Sequence, residues 1–321
     1  MIFINYLIIC LIFGTTFLAI KVGVDHAAPP FFSAGIRFLT GGLVLFLFMA
    51  WRKKARFALL LRKEMLLTGI GLTFGTFAFL YWAEQYVPSG IAAVLSATGP
   101  LMILLLQMAV LRQTASPRSA IGIVVGFAGV VLLVLPSLTV SSAGKWWGIG
   151  CLAILTGQVF YASGALYSKQ VILRFPEASP IALNAAQMMY GGGLLLLLSL
   201  FTERVDLREL ASPSVAVSLL YLTVVGSMVG HSLFYWLVAK TNPVFPSTWL
   251  YVSPLIALAI GVGFYGETAG WATVAGAVTI IAGTVLSNLD GLRQLLRKPA
   301  LAKTPSPASA AAGGPGTAGK R

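Results

Sequence analysis

Apolar residues in this chain run in ten long stretches, at about 4–24, 31–51, 65–86, 89–111, 118–136, 146–172, 180–201, 213–239, 243–265 and 270–289. Each holds roughly 20 residues, the length a helix rising 1.5 Å per residue needs to cross about 30 Å of hydrocarbon. The runs are continuous rather than alternating with period two, so they predict helices and not the strands of a barrel. Pro29-Pro30, Arg52-Lys53-Lys54, Pro88, Pro117, Pro180, Pro213 and Asn242-Pro243 punctuate the breaks, and the turns near Pro88 and Pro243 are the tightest. The pattern predicts an all-α membrane protein with ten transmembrane helices. The first run has no basic segment ahead of it and no small-residue cleavage pattern before Lys21, so it reads as a retained helix rather than a secretory signal. Residues 297–321 are rich in Pro, Ala, Gly and Ser and are expected to form a disordered tail.

Composition supports this reading. Of 321 residues only 10% are charged and 58% are hydrophobic, against roughly 25% charged in a soluble domain. So few charges cannot cover a water-facing surface, and the lipid bilayer must be the solvent for much of the chain. The net charge of +13 does not imply nucleic acid, because the basic residues sit in short loops and the tail. Arg52, Lys53, Lys54, Arg56, Arg62 and Lys63 share one loop, and Arg112, Arg118, Lys169, Arg174, Lys240 and the tail fall on the same side. The opposite side carries Lys145, Arg204 and Arg208, the last two offset by Glu203, Asp206 and Glu209. By the positive-inside rule both termini are expected in the cytoplasm of a multi-pass bacterial inner-membrane protein. Cys10 and Cys151 lie inside apolar runs and read as small buried hydrophobes, not as a disulfide or a metal site.

The chain also repeats itself. Tyr81-Trp82 recurs as Tyr235-Trp236, an offset of 154. The same offset joins Pro100-Leu101 to Pro254-Leu255, Thr114-Ala115 to Thr268-Ala269, Gly122 to Gly276 and Gly129 to Gly283; further upstream Lys21 answers Lys169 and Pro30 answers Pro180. Two repeats follow, residues 1–136 and 145–290, with five spans each. An odd number of spans turns the second copy over in the membrane, and inverted repeats are a design of secondary transporters with a site near mid-membrane.

Phe13-Gly14-Thr15-Thr16-Phe17, Lys21-Val22-Gly23, Pro29-Pro30 and the in-span Arg37 resemble the start of an EamA-type repeat of the drug/metabolite transporter superfamily. Val87-Pro88-Ser89-Gly90-Ile91-Ala92-Ala93 running to Pro100, Tyr251-x-x-Pro254 and Gly266-Glu267 extend that resemblance over residues 5–289. The resemblance implies ten helices in two inverted halves and export of small metabolites, commonly amino acids or drugs. Two positions depart from it: Phe13 stands where Trp is common, and Arg112-Gln113 replaces Gly-Glu, which loosens the end of the fourth span.

Arg37 is the sharpest candidate for solute contact. It lies about seven residues, roughly 10 Å, inside its span, where a charge faces a cavity or a partner. A solute carboxylate is one partner; snorkelling, or pairing with Glu84 or helix-end carbonyls, is the structural reading. His231 belongs to a stripe with Thr223, Ser227 and Tyr235 at four-residue spacing, matched in the first half by Gly69, Thr73, Phe77 and Tyr81. Proton coupling and a helix-bridging hydrogen bond are both open to it. Ser96, Gln158, Tyr161, Asn184 and Gln187 add polar positions, and Trp249 and Tyr251 are candidates for an aromatic wall or for packing. Pro100 and Pro254 mirror each other as hinge or gating positions. Gly122-x-x-x-Gly126 with Gly129 suggests close helix packing, mostly within the chain. All nine acids fall at helix ends or in loops, which argues against an acidic proton relay.

No metal-ligand spacing, nucleophile elbow or embedded carboxylate pair is present, so no enzyme, cofactor or metal is expected. Gly314 to Lys320 spells most of a P-loop, but Arg321 follows where Ser or Thr belongs. The expected function is a secondary or facilitative transporter, an exporter by resemblance, of a zwitterionic or aromatic small molecule by alternating access. The expected state is a monomer or weak homodimer. A lipid-type translocase and a non-transporting scaffold are the alternatives.

Overall fold

A computed structural model describes residues 1–112, 116–139, 145–241 and 244–296. Thr114-Ala115, Asn242-Pro243 and the 297–321 tail lie outside the described residues. Ten main helices follow one another among the described residues: α1 (Ile2–Asp25), α2 (Pro30–Trp51), α3 (Lys63–Ala83), α4 (Ser89–Val110), α5 (Pro117–Thr139), α6 (Lys145–Arg174), α7 (Pro180–Thr202), α8 (Pro213–Lys240), α9 (Phe245–Tyr265) and α10 (Trp271–Leu296). Eight are long and apolar enough to span a membrane; α5 and α10 hold the shorter apolar stretches Pro117–Leu133 and Trp271–Ser287. The predicted spans agree within a few residues, except that α10 runs on past 289. Pro30, Pro180 and Pro213 sit in the first turns of their helices, where no N–H is needed.

Side-chain contacts sort the helix ends to two sides. On one, Lys21 Nζ donates to the Glu84 carbonyl (2.8 Å) and Tyr265 Oη to Asp25 (3.1 Å). Glu203 caps the start of α2 through the N–H groups of Phe31 and Phe32 (2.7 and 2.8 Å). On the other, Arg174 pairs with Glu64 (2.9 Å), and Lys169 Nζ donates to the carbonyls of Val238 and Thr241 (3.1 and 3.2 Å). The basic loop between α2 and α3 belongs to this second side. Thus α1 ends on the first side and α6 on the second, so the two helices run in opposite directions. Packing is symmetrical on exchange of the two sets of five: α2 lies along α7, α5 along α10, and α1 meets α8 and α9 as α6 meets α3 and α4.

The α5–α10 pair is close enough to require glycine. A Cβ on Gly122 would run into the Ser287 nitrogen and stand 2.7 Å from the Gly283 carbonyl. The glycine pattern in α5 is therefore used within the chain.

Three local features were not legible as periodicity. Both third helices of the five-helix sets wind partly as π-helix, over Ile70–Gly75 in α3 and Leu222–His231 in α8, and these segments overlap at the 154-residue offset. Wide turns of this kind recur at functional sites. Helices α4 and α9 are both broken, but not symmetrically. α4 breaks at Ala97–Thr98, so that Pro100 stands in the first turn of the next segment, where a missing N–H is harmless. α9 breaks at Thr248, and Pro254 lies inside the continuous segment Trp249–Tyr265. Last, the ends of α4 and α9 are alike despite the replaced Gly-Glu: Arg112 takes the left-handed conformation (φ 51°) that Gly266 takes (φ 69°). The fold keeps the turn and places the strain on Arg112.

Candidate functional site

The polar residues of α1, α2, α3, α4, α6, α8 and α9 converge on one cavity inside the bundle. Arg37, Ser96, Gln158, Tyr161, His231 and Trp249 line it, together with Phe13, Phe17, Phe77, Phe234, Thr16 and Thr76 among others. Its volume is about 50 Å³. Sites for drug-sized ligands run to roughly 300–1,000 Å³, so the walls are drawn in and a solute larger than a few waters needs them to move.

Arg37 is 1% exposed and does not snorkel. Its Nε donates to Ser227 Oγ (2.7 Å) and its Nη1 to Tyr81 Oη (3.0 Å). The guanidinium also lies over the rings of Phe38 (4.5 Å) and Phe77 (5.3 Å), where ring quadrupoles favour a cation. Among the described residues no carboxylate pairs with it and two of its five N–H groups are used, and the residue lines the cavity.

Four side chains at the cavity bring a polar atom that is buried and without a partner among the described residues: Ser96 Oγ, Gln158 Oε1, His231 Nε2 and Trp249 Nε1. The His231 ring packs edge-on against Phe13 (5.2 Å) and Phe38 (5.4 Å) and near Phe77 (5.7 Å). It does not bridge helices through Nε2. Trp249 packs on Phe13 (4.5 Å), and its Nε1 comes near the Tyr161 hydroxyl without meeting hydrogen-bond geometry. Tyr161 instead donates to Ser247 Oγ (2.9 Å), fixing the residue beside the α9 break. Buried polar groups in proteins are overwhelmingly hydrogen-bonded, so four orphans around one space mark a place that a polar ligand completes.

The other candidates stand outside the cavity lining. Tyr81 and Ser227 hold Arg37 from behind. Gln187 Oε1 accepts from Thr73 (2.8 Å), while its amide donates to Asn184 (3.0 Å). Tyr235 is buried between helices against Phe234. Tyr251 donates to the Thr284 carbonyl (3.3 Å), tying α9 to α10. Of the apolar lining, Phe77 had a signal in the sequence, since it takes the place of His231 in the first half, and Phe13 and Phe17 had one as the ends of the motif that carries the family resemblance. Phe234 has none, because an aromatic in an apolar helix reads equally as packing.

The acids at helix ends are not all in water. Glu64 is buried against Arg174, and Glu84 is 0% exposed with neither carboxyl oxygen bonded to protein. A helix-end position therefore does not exclude an acidic proton site, because α1, the α3–α4 turn and the segment after α9 close over Glu84. Among the described residues no group of His, Cys, Asp and Glu could hold a metal.

Comparison with known proteins agrees with this architecture. The model of the EamA-like transporter family matches twice, over residues 1–135 and 148–289. The "Uncharacterized inner membrane transporter YedA" of Escherichia coli K12 is 30% identical over 80% of this chain and 81% of its own length. A Salmonella typhimurium protein named "Probable amino-acid metabolite efflux pump" is 28% identical over 89% of this chain and 94% of its own. A solved crystal structure 21% identical in sequence has the same fold, with a TM-score of 0.59 covering 92% of this chain and 98% of that one.

Proposed function

The chain belongs to the EamA-like transporter family and is a membrane transporter, and on that premise we propose that it carries a small organic solute through the central cavity by alternating access. The observation that carries the reading is the set of four orphan polar atoms, on Ser96, Gln158, His231 and Trp249, around one drawn-in cavity. They supply an indole donor, an amide acceptor, an imidazole nitrogen whose role its tautomer sets and a hydroxyl that serves as either, with the Arg37 guanidinium beside them. The remaining wall is mostly apolar, with Phe13, Phe17, Phe77 and Phe234 beside three leucines. A zwitterionic metabolite with an apolar or aromatic side chain fits: its carboxylate to Arg37 and Trp249, its ammonium to Gln158 and His231, its side chain to the phenylalanines.

The two five-helix sets act as inverted-topology repeats that rock against each other about this cavity. Support comes from the opposed directions of α1 and α6 and from the exchange symmetry of the packing. The π segments of α3 and α8 and the breaks in α4 and α9 are where the walls yield, because backbone there is already outside regular α-helical bonding. The basic loops put both termini in the cytoplasm of a bacterial inner membrane. Movement is outward, on the likeness to the efflux-pump relative. One chain encloses the whole cavity, so a monomer suffices.

The test is flux of a labelled amino-acid panel in liposomes holding the purified protein, with Ser96→Ala and Trp249→Phe alongside. Flux in the wild type that falls at least several-fold in folded variants supports the reading. Movement of a labelled lipid with none of the panel moving would make it a lipid translocase, and no movement of either would leave a scaffold.

A further inference from the structure

Glu84 stands at the end of α3, on the side away from the basic loops, and is completely buried. Neither of its carboxyl oxygens has a hydrogen-bond or ion-pair partner among the described residues. This is unusual in its surroundings, because every neighbouring charge is committed. Lys21 of α1 is 2.8 Å from Asp25 of the same helix and 2.8 Å from the main-chain carbonyl of Glu84, yet it does not reach the Glu84 side chain. Asp25 also accepts from Tyr265 of α9. Glu267, after α9, spends its carboxylate on the start of α4, accepting from Ser89 N (2.7 Å), Ser89 Oγ (2.6 Å) and Gly90 N (3.0 Å). Arg37 of α2 is held by Ser227 and Tyr81. Lys21, Asp25, Glu267 and Arg37 are the charged groups whose fields reach Glu84, two of each sign.

An ionised carboxylate in such a place would have lost its water with no hydrogen bond or ion pair in return, and the two positive fields that reach it are opposed by two negative ones, whereas the neutral acid loses far less. We propose that Glu84 is the proton-binding carboxyl that couples this transporter to protons: with its proton it holds the outer end closed, and on losing it lets that end open. This rests on the transport reading. The step balances simply: the O–H bond of the Glu84 carboxyl breaks, the proton leaves to external water, and the carboxylate left behind draws Lys21 away from Asp25. Lys21 links α1 to the α3–α4 turn, and Asp25 links α1 to α9, so a change of partner loosens the contacts that seal α1, α3 and α9 together. Opening to water is then favourable because it hydrates the new charge.

The site can be tested without knowing the solute. Infrared spectra of the full chain in liposomes at neutral pH should carry a protonated-carboxyl band that Glu84→Gln removes. Asp25→Asn should also remove it, since Lys21 is then free to pair with Glu84 and ionise it, and this variant keeps the test decisive if Glu84→Gln does not fold. A wild-type spectrum lacking the band, or a band unaltered in Asp25→Asn, overturns the proposal. For the gate, amide hydrogen exchange over residues 84–92, corrected for intrinsic rate, should rise several-fold with pH in the wild type and stay low in Glu84→Gln. The same pH dependence in both would overturn it. Failure of the transport reading would look different: no solute moves while the band and the pH-dependent opening remain.

Discussion

Gln187 of α7 accepts a hydrogen bond from Thr73 of α3 at 2.8 Å, and it is the counterpart of the bond that Arg37 of α2 gives Ser227 of α8 at 2.7 Å. Thr73 and Ser227 are 154 residues apart, the offset of Tyr81-Trp82 and Tyr235-Trp236; Arg37 and Gln187 are 150 apart, the offset of Pro30 and Pro180. One bridge is neutral and the other charged. The charged one stands at the cavity and the neutral one does not, so corresponding positions differ and only one carries a guanidinium at that space.

Thr73→Val should remove the neutral bridge alone. Hydrogen bonds between helices in membranes contribute roughly 0.6–1.7 kcal/mol. A double-mutant cycle of Thr73→Val with Gln187→Leu, read by unfolding in detergent, should give a coupling in that range, with flux changed little.

Arg37→Lys should cost both stability and transport. The ammonium keeps the charge but lacks the planar fork that reaches Ser227 and Tyr81 together while stacking on Phe38 and Phe77. Leaving one buried partner unsatisfied costs about 1–3 kcal/mol, visible as a lower Tm. Tyr81→Phe, which removes one acceptor and leaves the guanidinium in place, should cost less.

Ser96→Ala should separate transport from folding. Its hydroxyl is buried without a partner, so removing it should leave stability unchanged or slightly raised, while panel flux falls. Equal loss of both would make Ser96 a packing residue.

Arg112→Gly should stabilise the chain. The left-handed conformation costs a residue with a Cβ about 1–2 kcal/mol, and glycine avoids it. Gly266→Ala should destabilise by a similar amount at the matching end of α9. Thermal unfolding of the two variants should move in opposite directions.

Glu267→Gln should weaken the start of α4. The carboxylate accepts three bonds there, two from backbone N–H groups at a helix N-terminus, where a negative charge is favoured. Loss of the charge should cost about 1–2 kcal/mol and raise amide exchange at Ser89 and Gly90 first.

The ten helices and their punctuation by prolines were legible in the sequence, because each depends on local composition over about 20 residues. Half of the candidate site was legible too: Arg37, Ser96, Gln158, Tyr161, His231 and Trp249 line the cavity. Tyr81, Ser227 and Gln187 share their polarity and depth but make bonds to other helices instead. Nothing in their spacing distinguishes the two groups, since a helix in lipid must turn any polar face toward protein, whether that protein is a cavity wall or a neighbour.

The sequence by itself determined that this chain lies in a membrane as a set of apolar helices, because too few charges exist to face water and each run matches the hydrocarbon thickness. It also determined the family, through motifs kept in order along both halves. Only the tertiary structure decided which polar atoms remain unbonded at one space, that Arg37 is held by Ser227 and Tyr81 rather than by an acid, and that Glu84 at a helix end is sealed from water. Those outcomes depend on which helices meet, how their π turns and breaks aim the side chains, and what closes over them, and none of these is a property of any one helix.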